Sequence, residues 1–395
     1  MIADNPSGRA LTLAVTSVLA LTMAACGSNE SKEATTASES STASSDFAAT
    51  NYTTDLSGVC PENIVVQTGW YPETTRAYLF QLIGPGGTVD IDKGAYAGQL
   101  GSTGVNLDIR MGGPYVGDQS SVAMMYQDPE ILLGEVNSDE GANLYSEFPT
   151  VALFAPMDKS PAVLVWDPSK HDFKTMADIG ASDLPVLMYG ADDPWVKYFV
   201  GKGDLKQSQI DDSYDGTPTR LIASDGEVIE QGYANLAPYA YEHDYPEWGK
   251  PVSTMLLADN GWSPYDNALG TTPEKVTEYG ECFGKLIPLI QQGAVDYATD
   301  PGPINERLVS VVDELASSWR LTAESNEYSS KALVEDDIIS NGEDTTLGNF
   351  DDARMATFIE QVTPFLEESN PSFEPVDPKV LYSNQFIDPS IGMPQ

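Results

Sequence analysis

The sequence predicts an α/β protein of two lobes, the first of them discontinuous in sequence, with extra helices toward the C-terminal end. Three observations carry this. Short β-prone runs, such as residues 64–67 and 105–111, are each followed by a loop and then by helical periodicity. The loops after those runs repeatedly collect aromatic and small residues, and open α/β sheets place their ligands at such strand ends. The last third of the chain carries one-sided helical patterns with no strand pattern between them. With 395 residues, 41% of them hydrophobic, the chain is long enough for more than one domain and for a sizeable core.

Residues 10–25 (ALTLAVTSVLALTMAA) form an apolar run shorter than the ~20 residues of a membrane span, and Cys26 follows directly. Residues 1–25 therefore read as a targeting segment. Met23-Ala24-Ala25-Cys26, followed by Gly27 and Ser28, resembles the lipobox of bacterial lipoproteins. That resemblance implies cleavage before Cys26 and diacylation of its thiol; an ordinary cleaved signal with an incidental cysteine is the alternative. The following stretch, rich in Ser, Thr, Ala and Glu, cannot bury enough apolar surface to order itself and predicts a flexible tether over residues 26–59. Of the three cysteines, Cys60 and Cys282 then remain outside the cytoplasm. An even remainder there suggests a disulfide, with two unpaired buried thiols as the alternative.

The folded part is expected to start near Cys60. Its opening, residues 63–84 (NIVVQTGWYPETTRAYLFQLIG), organises the rest. A strand is predicted at 64–67 and a helix over 75–83, where Ala77, Phe80 and Ile83 stand at helical spacing. Between them lie Trp70 and Tyr71, with Pro72 ending the strand and Glu73 favouring a helix start. Residues 105–111 (VNLDIRM) alternate apolar and polar and predict a second strand ending in Gly112-Gly113-Pro114-Tyr115. A short helix over 118–125 would offer free N–H groups there, together with Gly112 and Gly113, to an acceptor on a ligand; a plain Gly-Pro turn is the other reading.

Further strands are expected at 131–136, 151–156 and 162–166, with the chain crossing into a second lobe near residue 159. In that lobe a strand at 185–189 leads through Tyr189, Asp192 and Trp195 into a helix over 196–200, and residues 228–234 lead into Tyr233 and Asn235. Residues 251–257 read as the return. The first lobe is thus 60–158 with 251–395, and the second is 159–250. Thr272-Pro273-Glu274 has proline where a helix begins. Three packing helices follow: one around Leu286 to Ala294, one through Ile304, Leu308, Val311, Val312, Leu315 and Trp319, and one from Met355 to Leu366.

Composition excludes several functions. Lys plus Arg total 20 against 60 Asp plus Glu, and a net charge of −40 repels nucleic acid and anionic membrane surfaces. With two histidines and no GxSxG elbow, Ser-His-Asp chemistry is poorly supplied and a multi-histidine metal site is ruled out. Gly280 and Gly284-Lys285 mimic a Walker loop at the wrong spacing, and Asp211, Ser213 and Asp215 mimic a calcium loop that has Ile222 where a bidentate glutamate is required. No metal, cofactor or catalytic residue is expected. What remains is aromatic. Trp70 and Tyr71 are expected to stack on a small planar solute beside Glu73 and Tyr115, with Gly113 and neighbouring amides holding an acceptor. Tyr189, Asp192, Trp195, Tyr233 and Asn235 would close from the second lobe; the alternative is that most of these rings are core. Arg76 and Arg220 are the only cations considered for an anionic ligand.

The lipobox at Cys26, the opening VVQTGWYPETTRAYLFQLIG, the strand end IRMGGP and the C-terminal run LYSNQFIDPSIG resemble the substrate-binding lipoproteins of bacterial ABC importers. Within them the likeness is to the branch of nitrate, sulfonate, taurine and thiamine-pyrimidine-precursor binders. It spans most of residues 60–395. It implies a type II periplasmic binding protein fold whose lobes are joined by two crossing strands and close on a small organic solute. It also implies a monomer, lipid-anchored on the extracytoplasmic face of the cell membrane, that delivers its solute to permease subunits. A sensory or adhesive lipoprotein, and a binder of a small anion such as a sulfonate or nitrate, are the rival readings; an enzyme on the same fold is the least favoured.

Overall fold

The β-prone run at the start of the folded part forms the middle of a sheet. In the computed structural model, which describes residues 52–394 except Asp192 and Ser318, β1 (Asn63–Gln67) is buried over four of its five residues. The signal segment, Cys26 and the tether up to residue 51 lie outside the described residues. The chain continues through a hairpin of β2 (Thr88–Asp90) and β3 (Ala95–Gln99), then β4 (Asn106–Arg110), β5 (Ile131–Val136) and β6 (Val151–Phe154). It crosses over residues 155–161 into β7 (Ala162–Trp166), β8 (Val186–Leu187), β9 (Ile210–Asp211), β10 (Ile229–Tyr233) and β11 (Ser253–Leu256), and returns over 257–267 to β12 (Ala268–Thr271).

Two sheets result, of order β2-β3-β4-β1-β5-β12-β6 and β11-β7-β10-β8-β9. In the first, β1 runs parallel to β4 from Asn63↔Asn106 to Gln67↔Arg110 and parallel to β5, while β12 is antiparallel to β5 and β6. Strands enclosed on both faces read as continuous apolar runs, which is why Ile131–Val136 is buried throughout. The helix Ala77–Ile83 is buried on every side because the long helix Gly280–Thr299 and the helix Gly302–Glu314 cover it. The C-terminal run covers the β6 edge: the Ala152 N–H donates to Leu381 O (2.8 Å) and the Ser383 N–H donates to Ala152 O (2.8 Å). Cys60 and Cys282 are joined by a disulfide, Cα–Cα 4.9 Å, tying the start of the fold to that long helix.

Three boundaries differ from the sequence expectation. The fold starts before Cys60: Tyr52 and Leu56 are fully buried, Tyr52 Oη donates to Asp296 (2.8 Å) and the Leu56 N–H donates to Thr103 O (2.9 Å). Two apolar side chains four residues apart outweigh the polar composition around them. Residues 251–257 do not return to the first sheet, because Ser253–Leu256 pairs antiparallel with β7; the return comes at β12. The helix expected to reach Trp319 stops at Glu314, beyond which Ala316 takes a left-handed φ of 51°. Among the described residues no helix is long and apolar enough to cross a membrane.

Candidate functional site

A cleft of about 980 Å³ lies where the strand ends of the two sheets meet. Its first-sheet wall begins at the end of β1. The buried Gln67 amide donates to Thr68 O (3.0 Å) and Met111 O (3.1 Å), so the ends of β1 and β4 are tied together. The Gly112 N–H donates to Trp70 O (3.1 Å) and is therefore spent inside the protein. Gly113 has φ +59°, and a Cβ there would lie 2.7 Å from Trp70 Cε3. Only glycine lets the indole rest on this backbone. The helix after this loop begins at Ser121, with the Ser120 hydroxyl accepting from Val122, instead of at Asp118. The expected helix-start site for an acceptor is thus occupied by its own serine cap and by Trp70.

Trp70 is 37% exposed and lines the cleft, whereas Tyr71 is 7% exposed and does not. Tyr71 instead stacks on Trp319 (6.0 Å, 10° between planes) and meets Tyr115 edge-on (5.8 Å, 73°). Trp319 donates from Nε1 to Pro72 O (3.1 Å), and its ring meets Trp70 at 6.2 Å and 87°. Tyr71 and Tyr115 are hence the packing under Trp70, with Tyr115 Oη donating to Leu315 O (3.0 Å). Trp319 reaches the cleft as well, a residue the sequence reading assigned to a helix face.

Beside Trp70 sits a buried ion group. Arg76 pairs with Glu73 and, from Nε and Nη2, with Glu135 at 2.8 and 2.9 Å, and it donates to Asn267 Oδ1 (3.2 Å). Glu135 also accepts from the Gly69 N–H (2.7 Å). Burial holds Glu135 above the usual carboxylate range even against the pull of Arg76, and the charge of Glu73 adds to this. Arg76 itself is buried and held charged: the two carboxylates outweigh the cost of burying it. Arg220, exposed in the short helix Thr219–Ala223, is bound to Asp211 (2.6 Å) and Ser213 (2.7 Å) and does not line the cleft. Neither arginine is available to an anion.

The second-sheet wall carries Tyr189 and Tyr233, 52% and 41% exposed, at the ends of β8 and β10. The Tyr189 N–H donates to Gln231 Oε1 (3.2 Å), and the Tyr189 ring tilts against Tyr214 at 5.0 Å. Asn235 is 1% exposed; its Nδ2 donates to Ser329 Oγ (2.8 Å) while its Oδ1 receives no hydrogen bond. Trp195 is 6% exposed and packs on Phe199 within the second core, so it is not a cleft residue; the helix start at Pro194 turns its ring inward. Asp192 lies outside the described residues. Of the expected residues the cleft therefore gathers Trp70, Glu73, Gly113, Tyr189, Tyr233 and Asn235. Sequence reasoning missed Glu140, Tyr214, Asp266 and Trp319, which line it too.

The sequence matches no protein-family model and no curated protein. Solved structures do resemble the fold. The periplasmic aliphatic sulphonate binding protein of Escherichia coli aligns with TM-score 0.51 at 13% identity, covering 81% of this chain and 92% of that one. A periplasmic sulfonate-binding protein of Methylobacillus flagellatus KT aligns with TM-score 0.50 at 10% identity, covering 82% and 92%. Identities this low speak to fold alone. The chain has the periplasmic binding protein fold: two α/β layers joined by two crossing segments, with the cleft at their strand ends.

Proposed function

We propose that this chain is the extracytoplasmic solute-binding component of an ABC importer, capturing a small planar or aromatic heterocyclic solute between two lobes and delivering it to permease subunits. One observation carries the reading: exposed rings from both sheets, Trp70 on one and Tyr189 and Tyr233 on the other, face a single cavity of ligand size. Exposed rings gathered in one concave site, unlike scattered ones, mark a ligand-binding surface. Closure of the two lobes over a solute would change the surface offered to a permease. Lipid on Cys26 would hold a monomeric receptor at the membrane by its tether. The reading assigns no catalytic residue.

The test is a thermal-shift screen of the full-length protein against pyrimidines, thiamine precursors, sulfonates, nitrate and aromatic carboxylates. A solute at 100 times its dissociation constant stabilises by ~2.7 kcal/mol, well within the reach of a melting scan. A hit whose stabilisation falls to about half in Trp70→Ala, as tenfold weaker binding requires, supports the reading. No shift across the library leaves the sensory or adhesive function in its place.

A further inference from the structure

The charge on the cleft wall is one-sided. Glu73, Asp118, Glu135, Glu140, Asp215 and Asp266 line it, and Arg76 is the one cation among the lining residues. That guanidinium is already shared between Glu73 and Glu135. Among the described residues, Asp118, Glu140, Asp215 and Asp266 take part in no ion pair. Glu140 accepts from Ser120, and Asp215 from Thr217 (2.7 Å). Asp139 acts on the charges of both Glu140 and Asp266, and Glu135 acts on that of Glu140, which links the four at the end of β5 and on the returning segment; Ser160 and Arg354, the latter bound to Asp158, act on Asp266 in the opposite sense. Burial raises Glu140, and it raises Asp266 to about 6.

The hydrogen-bonding balance points the same way. Asn235 Oδ1 is buried at the cleft wall without a donor, an arrangement that favours a ligand carrying one. Ring faces carry negative charge density and attract cations, while an anion in this cleft would meet carboxylates and find no free positive group. A divalent metal is not indicated, since among the described residues no three His, Cys, Asp or Glu side chains are grouped to hold one.

We infer that the solute is a ring-bearing organic cation with N–H donors, an amidinium or protonated amine on a flat ring, seated between the exposed aromatics and the carboxylate patch. This rests on the solute-binding reading and narrows it. It sets this chain apart from the sulfonate-binding proteins whose fold it shares.

The test measures affinity by titration calorimetry on the full-length protein with two charge-graded series. One is benzamidinium, benzamide and benzenesulfonate; the other is 4-aminopyridinium, nicotinamide and pyridine-3-sulfonate. The cation of each series should bind at least about tenfold more tightly than its neutral partner, equivalent to about 1.4 kcal/mol, and the sulfonates should not bind. Glu140→Gln and Asp266→Asn should each reduce that cation-to-neutral preference at least about threefold. A neutral or anionic member that binds as tightly as the cation overturns the inference and leaves the solute-binding reading standing. Discrimination unchanged in both variants overturns the assignment to this patch. Failure of every probe to bind overturns the inference, while the solute-binding reading stands or falls on the thermal-shift screen.

Discussion

Arg76 and Glu135 meet in a fork, Nε to Oε1 at 2.8 Å and Nη2 to Oε2 at 2.9 Å, with both side chains buried under the Trp70 loop. The pair joins the first helix of the fold to the last residues of β5, and the Gly69 N–H donates to the same Oε2 that accepts from Nη2. Removing one partner of a buried pair strands the other charge, which costs about 3–5 kcal/mol. Arg76→Met should therefore destabilise by that amount in urea denaturation. The triple variant Glu73→Gln/Arg76→Met/Glu135→Leu should recover most of the loss, because it leaves neither carboxylate of the group unpaired. A stability-neutral Arg76→Met would contradict the structural role.

Adjacent residues in the opening loop should behave oppositely. Trp70 is open to the cleft and Tyr71 is sealed between Trp319 and Tyr115. Trp70→Ala should weaken solute binding by about tenfold with a small change in melting temperature. Tyr71→Ala should cost about 3 kcal/mol or more of stability by opening a cavity. The pair of variants, compared by melting scan and calorimetry, separates ring stacking on a solute from ring packing in the protein.

Gly113→Ala tests the seat of that indole. The added methyl would sit 2.7 Å from Trp70 Cε3 on a backbone with φ +59°, so ring and chain must both shift. A loss of about 1–2 kcal/mol and weaker solute binding are expected together, measured by urea denaturation and calorimetry.

Much of this was legible in the sequence because the chemistry of strand ends is local. The run 64–67, the stop at Pro72 and the glycines after β4 each announce a loop at a sheet edge, and the cleft does gather Trp70, Gly113, Tyr233 and Asn235. Which of two neighbouring rings faces out was not legible, since Trp70 and Tyr71 differ only by the backbone turn between them. Trp319 was hidden for another reason: it continues the helical spacing of Leu308 and Leu315, and a left-handed Ala316 ends that pattern. Glu140 and Asp266 could not be picked from 60 carboxylates without geometry that brings β5 and the returning segment together. Tyr52 and Leu56 were lost in a polar stretch whose composition argued for a tether.

The disulfide closes a sequence separation of 222 residues between the first turn of the fold and the long helix. In the chain-entropy treatment a loop of that length stabilises by at most about 5 kcal/mol. Cys60→Ser/Cys282→Ser should lower stability by up to that amount, and reducing agent should lower the wild-type melting temperature while leaving the variant unmoved. Equal sensitivity of both proteins to reductant would contradict the bond.

Stability should fall as pH rises through the neutral range, on account of Glu230. Its side chain is fully buried on β10, where it accepts from the Tyr241 hydroxyl and the Leu221 N–H (3.1 Å), yet burial pushes it from 4.5 up to about 7. A carboxyl with a raised folded-state pKa holds its proton more tightly folded than unfolded. Its contribution is therefore complete below about 4.5 and is lost as pH climbs to about 7, a change on the order of 3 kcal/mol. Asp266, raised to about 6 by burial, acts in the same direction over a narrower window. The opposite slope belongs to carboxylates held low, such as Asp167 beside Lys250, and appears only at more acid pH. Urea denaturation at intervals between pH 4.5 and 8 should show the decline in the wild type and a flatter profile in Glu230→Gln, which keeps the shape and cannot ionise. A wild-type stability that climbs across that interval would mean that Glu230 stays ionised in the folded protein.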